Sequence, residues 1–276
     1  IINIDNQAQV SIKGFTIKGF EDTFCDTRLV GIDRLVGISV FTDAILTLDS
    51  VVIKDCTWRS VSIGSILAPE GQQTGHATIT NTVITEYEFD GVAALVPGTT
   101  LTMSYNKIIG SISNVTNPAG ISIVEANATI THNEVSGNIC DENFVPACGP
   151  DWFNQLQAFG IITQGAGGGS VIAKNYLSDN DAGIGIVEGS GCCLIDHNKL
   201  TDNHIFGIVI ADGEHTVSNT KIFGGQVGAA AAALFYNTTA TLDQVKIIGT
   251  EIPIQALSTG NLTAAVNVFS PSFFKP

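Results

Sequence analysis

The sequence predicts an all-β fold, a parallel β-helix of about ten coils with three strands in each coil. The first observation is a phrase of eleven residues that returns ten times, most plainly as ATITHNEVSGN at 128–138 and SVIAKNYLSDN at 170–180. The second is a Gly-Ile segment that follows several of these phrases, as in GISI at 120–123 and GIGI at 183–186. Two strands that bend around a turn, followed by a third strand, make one turn of a solenoid.

Apolar residues occupy the third and eighth places of the phrase, which are the centres of its two strands. The other copies are CLIDHNKLTDN at 193–203, VSIKGFTIKGF at 10–20, LTLDSVVIKDC at 46–56, ATITNTVITEY at 77–87, LTMSYNKIIGS at 101–111, HTVSNTKIFGG at 215–225, ATLDQVKIIGT at 240–250 and LTAAVNVFSPS at 262–272. Because the repeat covers almost the whole chain, we expect one domain over residues 1–276, with a loop insertion at 139–158.

The sixth place of the phrase holds asparagine in four successive coils. These residues are Asn106, Asn133, Asn175 and Asn198. Asparagine tolerates left-handed backbone geometry, and its amide can bond the next amide one coil away. We therefore expect the turn between the two strands at this place, and an asparagine ladder along it.

The chain is acidic, with a formal net charge of −14. This charge argues against nucleic acid as a partner, and against a site that grips a polyuronate with several cations. Six cysteines and four Asn-x-Thr sequons favour an extracellular or cell-surface setting. No apolar run is long enough for a transmembrane helix, and the alanine-rich run Val227–Phe235 is interpreted as a strand. Because the chain opens in a strand-like IINI without an initiator Met, we expect a processed or excised piece.

The Gly-Ile strands and the pattern GIxI…N.I.xN resemble the repeats of right-handed, single-stranded parallel β-helix proteins with the pectate-lyase-like fold. They are especially similar to the repeats of the periplasmic copper-accessory and carbohydrate-binding type. The resemblance spans nearly the whole chain and implies that the outer face of the Gly-Ile strand is the groove of the enzymes. The outward residues expected on this face are Ser39, Ser122, Ile162, Gly185, Val209 and Gln255.

This expected outward set contains no acid, base or cation. The catalytic signatures of the fold are also missing: paired aspartates with Gly-His-Gly, an aspartate cluster with its arginine, and Asp-Pro-His. Since one fold hosts many activities, the function has to be argued from the site. The absence of these signatures favours a role other than catalysis.

Lysines recur at the seventh place of three consecutive phrases and suggest a binding surface. They are Lys199, Lys221 and Lys246, and Tyr176 holds the same place one coil earlier. Such a stripe could contact an anionic polymer or an acidic partner, or it could simply keep a strand face soluble. In the insertion, Trp152 and Phe153 could stack on a sugar or pack over a bare strand face.

Oxygen ligands for calcium are a further candidate site, in the loops that follow the Gly-Ile strands. They are Glu188, Asp212, Glu214 and Asn237. We expect no other cofactor. His132 and His197 lie two coils apart, too far to share a metal, and are interpreted as surface residues.

The cysteines and sequons predict specific modifications. Cys140 with Cys148 is a candidate disulfide that staples the insertion, and Cys25 with Cys56 is a second candidate between adjacent coils. Adjacent Cys192 and Cys193 are expected to point to opposite sides of a strand, without a bond between them. The glycosylation candidates are Asn114, Asn127, Asn237 and Asn261.

Three functions follow from these patterns. The favoured hypothesis is an extracellular structural, adhesive or polymer-binding β-helix module that associates with itself or with neighbouring domains at the helix ends. The alternative is a polysaccharide-active enzyme, lyase-like or epimerase-like. A minor alternative is ice binding, because Thr78/Thr80, Thr102/Ser104 and Thr129/Thr131 form an outward threonine array. The array is interrupted at Val171/Ala173 and Leu194/Asp196, so ordinary β-propensity explains it better.

Overall fold

The computed structural model of the protein describes residues 2–18, 36–54, 59–65, 72–110, 112–113, 118–140, 148–149, 157–187, 192–224, 231–250, 252–257 and 262–269. Every regular element in these residues is a β-strand. No helix long and apolar enough to cross a membrane occurs in the described residues. The fold is therefore all-β, as the repeats predict.

The first half of the chain contains β1 (Ile2–Ile4), β2 (Gln9–Lys13), β3 (Thr16–Lys18), β4 (Val36–Val40), β5 (Ala44–Asp49), β6 (Val52–Lys54), β7 (Arg59–Ile63), β8 (Gly75–Thr80), β9 (Val83–Thr85), β10 (Asp90–Leu95), β11 (Thr100–Ser104), β12 (Lys107–Ile109), β13 (Ile112–Ser113), β14 (Ala119–Val124) and β15 (Asn127–Thr131). The second half contains β16 (Glu134–Ser136), β17 (Ile139–Cys140), β18 (Phe159–Gln164), β19 (Val171–Ala173), β20 (Tyr176–Ser178), β21 (Ala182–Val187), β22 (Leu194–Asp196), β23 (Lys199–Thr201), β24 (Phe206–Ala211), β25 (Glu214–Ser218), β26 (Lys221–Phe223), β27 (Ala231–Tyr236), β28 (Thr239–Ile248), β29 (Ile254–Leu257) and β30 (Leu262–Phe269).

The Gly-Ile segments lie in one parallel sheet, which we call the first sheet. Its described strands follow the order β1-β4-β7-β10-β14-β18-β21-β24-β27-β29. Equivalent residues of successive coils stand in register, so that Ile121 pairs with Ile161, Ile161 with Ile184, and Ile184 with Ile208. These isoleucines are buried, and the strict register gives every place in a coil its own column along the helix.

The eleven-residue phrases form a second parallel sheet to which most coils contribute two strands. The strand β11 pairs with β8 and β15, while β12, after the turn, pairs with β9 and β16. The strand β28 passes through the turn without a break, and its register against β30 shifts between Asp243 and Val245. Third-place residues such as Ile79, Met103 and Ile130 are fully buried, which confirms the predicted inward places.

The turn between the two strands lies one place earlier than the sequence analysis predicts. The residues in left-handed geometry occupy the fifth place, where φ is 58° at Tyr105, 57° at His132 and 58° at Lys174. The sixth-place asparagines are not in this conformation. Their side chains point inward because the left-handed residue before them bends the chain between the two strands and shifts the alternation of inward and outward side chains.

The four sixth-place asparagines form a buried ladder of hydrogen bonds. The side-chain amide of Asn106 donates to Oδ1 of Asn133 at 2.9 Å, that of Asn133 to Asn175 at 3.1 Å, and that of Asn175 to Asn198 at 3.1 Å. Each amide also bonds a backbone carbonyl, as Asn175 Nδ2 does with Ile130 at 2.9 Å. Buried polar groups are stable only when paired in this way.

A second asparagine ladder, which the sequence analysis missed, occupies the eleventh place. The amide of Asn138 donates to Asn180 at 2.8 Å, and that of Asn180 to Asn203 at 3.0 Å. The buried hydroxyl of Tyr87 donates to Oδ1 of Asn138 at 2.7 Å. The three plainest phrases of the sequence all end in asparagine, so this second ladder could also have been predicted from the repeat.

Adjacent Cys192 and Cys193 are disulfide-bonded, so the prediction that they do not pair is wrong. They were expected to lie within a strand, where neighbouring side chains point to opposite faces. They precede β22 instead, and outside a strand that alternation does not apply. Both residues are buried in the interior cluster of the stack.

A glycine in β21 supports a first prediction. A Cβ atom on Gly183 would lie 2.7 Å from the carbonyl oxygen of Gly207 and 2.7 Å from Cδ2 of Leu200. We expect Gly183→Ala to lower the free energy of unfolding by about 2 kcal/mol, because the neighbouring strands must move apart. Urea denaturation measures this loss.

The control for Gly183 is Ser60, which lies in the same column in β7. Its buried hydroxyl has no hydrogen-bond partner within the described part of the chain. Ser60→Ala should therefore leave the free energy of unfolding unchanged or raise it. A loss at Ser60 equal to that at Gly183 would contradict the steric explanation.

Candidate functional site

Four seventh-place residues stand in one column on consecutive strands, and we call them the basic strip. In register, Tyr176 pairs with Lys199, Lys199 with Lys221, and Lys221 with Lys246. Neighbouring strands lie about 4.8 Å apart, so the strip presents a cation at each of three successive steps along the helix axis. The lysines therefore form a linear array and not a compact pocket.

Aromatic rings flank Lys199, the first lysine of the basic strip. The ammonium of Lys199 lies 4.8 Å from the ring centroid of Tyr176 and 5.9 Å from that of Phe223. A cation over an aromatic face is attracted by the ring quadrupole, which holds Lys199 against the sheet. In the earlier coils, Lys107 pairs with Glu134 at 2.9 Å, so that part of the column carries no net charge.

The outer face of the first sheet differs from the prediction, because strands without a Gly-Ile motif, among them β7 and β10, also belong to it. The strands β7 and β10 bring Arg59 opposite Asp90, and Arg59 Nε donates to Asp90 Oδ2 at 2.8 Å. The expectation of no acid and no cation on this face is therefore wrong. The sequence analysis did not assign β7 (RSVSI) and β10 (DGVAAL) to this sheet, because neither segment contains a Gly-Ile pair.

The Arg59–Asp90 pair is shielded from solvent. The side chain of Asp90 is 2% exposed and that of Arg59 is 22% exposed. Burial raises the pKa of the Asp90 carboxyl to about 6, although the charge and hydrogen bond of Arg59 act in the opposite direction. These are the charged residues in the described strands of this sheet.

The rest of this outer face is largely buried and apolar. Phe159, Phe206, Val209 and Leu234 belong to one cluster outside the sheet, and the ring of Phe159 lies over Gly185. Ser39 is fully buried as well. In the described residues this face is therefore mostly covered by apolar side chains and shielded from solvent.

The predicted calcium ligands are only partly brought together. Asn237 donates its side-chain amide to Asp212 Oδ1 at 2.7 Å, which occupies one of the carboxylate oxygens. Glu214 is exposed on β25, and Glu188 lies outside the described residues. No group of three His, Cys, Asp or Glu side chains suited to a metal occurs in the described residues. The calcium site stays a prediction.

The base of the insertion is held by one buried carboxylate. Asp181 Oδ2 accepts hydrogen bonds from the backbone N–H of Cys140 at 2.8 Å and of Ala158 at 3.0 Å. Burial raises the pKa of the Asp181 carboxyl, and these two hydrogen bonds and His204 oppose the shift. The disulfide joins Cys140 to Cys148. Trp152 and Phe153 lie outside the described residues.

The other modification candidates have mixed positions. Asn127 and Asn237 are exposed. Asn114, Asn261, Cys25 and Cys56 lie outside the described residues, so their glycosylation and pairing stay predictions. At the first coil, Val10, Ile12 and Ile17 are only partly buried, and Phe15 is 66% exposed. Self-association at the helix ends also stays a prediction.

Comparisons with known proteins agree with this architecture. Residues 70–252 match the family model described as a right-handed beta helix region. No curated protein matches the chain. Among solved structures, a double mutant of the periplasmic alginate epimerase AlgG is 12% identical with a TM-score of 0.65, and the match covers 97% of this chain and 70% of that one.

Two other solved structures share the fold. The A-module of the mannuronan C-5 epimerase AlgE4 from Azotobacter vinelandii is 10% identical with a TM-score of 0.57, covering 96% of this chain and 74% of that one. The Agl-KA catalytic domain is 12% identical with a TM-score of 0.52, covering 96% and 53%. At such low identity, these likenesses show a common fold alone. The family model of the right-handed beta helix region matches well over half of this chain, so the chain belongs to the right-handed β-helix family.

Proposed function

We propose that this protein is an extracellular β-helix module that binds an anionic polysaccharide along the basic strip. The observation that carries the proposal is the alignment of Lys199, Lys221 and Lys246 on consecutive strands, beside the ring of Tyr176. An extended polyuronate repeats its carboxylate along one axis, and the strip repeats its ammonium groups along the helix axis. The two disulfides in the described part of the chain support an oxidising, extracellular setting.

The net charge of the chain argues against a polyuronate partner, as the sequence analysis states, so the proposal depends on the local alignment of the three lysines. With a net charge of −14, the protein as a whole repels a polyanion, so binding depends on close contacts at the strip. Salt should weaken these exposed contacts. AlgG and AlgE4 are named for alginate and mannuronan, and we choose alginate as the first ligand for this reason.

Lysine substitutions in the strip test this function. The triple variant Lys199→Ala, Lys221→Ala, Lys246→Ala should bind alginate oligosaccharides at least about tenfold more weakly, because each exposed charge contact contributes up to about 1 kcal/mol. Isothermal titration calorimetry at low and moderate salt measures the change. Dextran, a neutral polysaccharide, should show no binding at these sites.

A matched control keeps the change in net charge the same. Lys13, Lys18 and Lys54 lie in the first two coils, and replacing all three with alanine also removes three positive charges. This variant should keep the affinity of the wild type. If both triple variants lose affinity equally, the effect comes from overall charge and the strip is not the site.

The alternative function is a polysaccharide-active enzyme. It is supported by the epimerase activity in the names of two structural neighbours. Against it, the charged residues in the described strands of the first sheet are the half-buried Arg59 and the buried Asp90, which already pair with each other. Prolonged incubation with alginate, followed by NMR for C5 inversion and by absorbance for unsaturated uronate, would reveal either activity.

A further inference from the structure

Four large side chains stand in a row at the fifth place of successive coils, and we call them the ridge. They are Tyr105, His132, Lys174 and His197, with φ values of 58°, 57°, 58° and 52°. All four are exposed. Residues next to them pair in register, so the ridge follows the helix axis in the same way as the basic strip.

A left-handed backbone conformation is unfavourable for residues with such side chains. In L-residues it brings Cβ close to the following carbonyl oxygen, and only glycine and, to a lesser degree, asparagine and aspartate adopt it readily. The same fifth place holds Gly14, Asn81 and Asn219 in three other coils, and Ser50 and Gln244 in two more. The fold can therefore use favourable residues there. A run of Tyr, His, Lys and His needs another explanation, and strained positions of this kind cluster at functional sites.

The ridge is also presented rigidly. Each ridge residue is followed directly by one of the ladder asparagines, so the coils with large side chains are those whose turns are hydrogen-bonded to each other. The rings of Tyr105 and His132 are stacked, with centroids 4.9 Å apart and planes 19° apart. The two rings therefore cover part of each other's faces and present the rest of their surface to solvent.

The end of the ridge is oriented by a carboxylate. His197 Nδ1 lies 2.6 Å from Asp196 Oδ2, and Asp196 Oδ1 accepts hydrogen bonds from Ser218 at 2.7 Å and Asn219 at 2.9 Å. Burial alone would raise the pKa of Asp196, but these hydrogen bonds outweigh it and lower that pKa to about 2. The carboxylate thus stays ionised and fixes the imidazole.

The ridge and the basic strip lie side by side. Lys174 precedes Tyr176 by two residues and His197 precedes Lys199 by two, so two coils contribute to both surfaces. We infer that the ridge is the aromatic part of the polysaccharide site, where the exposed side chains of Tyr105 and His132 contact the sugar rings and Lys174 contacts an acidic group. This inference rests on the proposed function, and it commits to an anionic polysaccharide that lies along the helix axis.

The ridge and the basic strip together set the length of ligand that can contact both surfaces along their whole extent. From the coil of Tyr105 to the coil of Lys246 there are five steps between strands, which is roughly 24 Å at about 4.8 Å a step. Oligosaccharides shorter than this distance reach only part of the ridge and strip. Affinity for alginate oligosaccharides should therefore rise with chain length up to this span and then level off.

Asparagine substitutions separate binding from folding. We expect Tyr105→Asn and His132→Asn to keep or raise Tm, by about 2 °C, because asparagine suits left-handed geometry better. Their affinity for a long alginate oligosaccharide should fall about tenfold, because each variant removes an aromatic ring of the ridge. Ser50→Asn is the matched control, since Ser50 has a φ of 57° at the fifth place of the second coil, away from the ridge and the basic strip. It should shift Tm in the same direction without changing affinity.

The outcomes distinguish this inference from the proposed function. If the wild type binds no anionic polysaccharide, both fail. If the strip variant loses affinity while Tyr105→Asn and His132→Asn bind as the wild type does, only the inference fails. If these two variants lose affinity together with Tm, the ridge side chains have a structural role and the inference is again overturned.

Discussion

Replacing Asn175 with alanine should lower the free energy of unfolding by about 4 kcal/mol, since several buried polar groups lose their partners at once. Asn175 Oδ1 accepts from the backbone N–H of Asn133 at 2.9 Å and from its side-chain amide at 3.1 Å. Its own amide donates to Ile130 and to Asn198. Alanine also leaves a cavity, because Asn175 is 2% exposed. Urea denaturation followed by circular dichroism measures the loss.

Threonine is the control at this place, because the ladder already ends in threonine on both sides. Asn106 Oδ1 accepts from the backbone N–H of Thr82 at 2.9 Å, and Asn198 N–H donates to the hydroxyl of Thr220 at 3.4 Å. Asn175→Thr keeps an oxygen acceptor and should cost less than Asn175→Ala. Equal losses below about 1 kcal/mol in both variants would mean that the ladder adds little to stability.

Replacing Arg59 with methionine should lower the free energy of unfolding at pH 7 by about 3 to 5 kcal/mol, because it leaves the Asp90 carboxylate buried without its cation. The loss should be much smaller at pH 4, where the carboxyl can take up a proton. Chemical denaturation of both proteins across this pH range checks the prediction.

The sign of the pH dependence follows from burial. The pKa of Asp90 is about 6 in the folded protein, above its ordinary value of 3.8, so the folded state holds this proton more tightly than the unfolded state. Its contribution is present below pH 4 and is lost as the pH rises to 6, by about 3 kcal/mol. Asp90→Asn should flatten this part of the profile. A profile for Asp90→Asn that matches the wild type would contradict the assignment.

The periodicity of the chain was sufficient to predict the fold and the columns, because a solenoid repeats the same contacts in every coil. The seventh-place lysines could be aligned from the phrase alone, and the register confirms their alignment. The turn was placed one residue late because asparagine was expected in the left-handed position. In this fold the asparagines at the sixth place form hydrogen bonds in the interior instead, and residues such as His132 take the left-handed position.

Other features could not be predicted because they depend on contacts without a repeat. The Arg59–Asp90 pair lies in two strands whose sequences depart from the Gly-Ile pattern. The role of Asp181 depends on an insertion in an earlier coil, since its partner Cys140 is 41 residues away. A sequence of one protein contains no sign of such contacts beyond the residue types themselves.

The attachment of the insertion determines how far its length and sequence can be altered without disturbing the coils. The backbone N–H groups of Cys140 and Ala158 share one carboxylate oxygen of Asp181, so the loop leaves and rejoins the stack at a single point. Because the two ends are held together at the base, each doubling of the loop length should cost only about 0.6 kcal/mol of closure entropy. Foreign peptides could be grafted between these two residues, and this rigid rod would then display them at a fixed position along its axis.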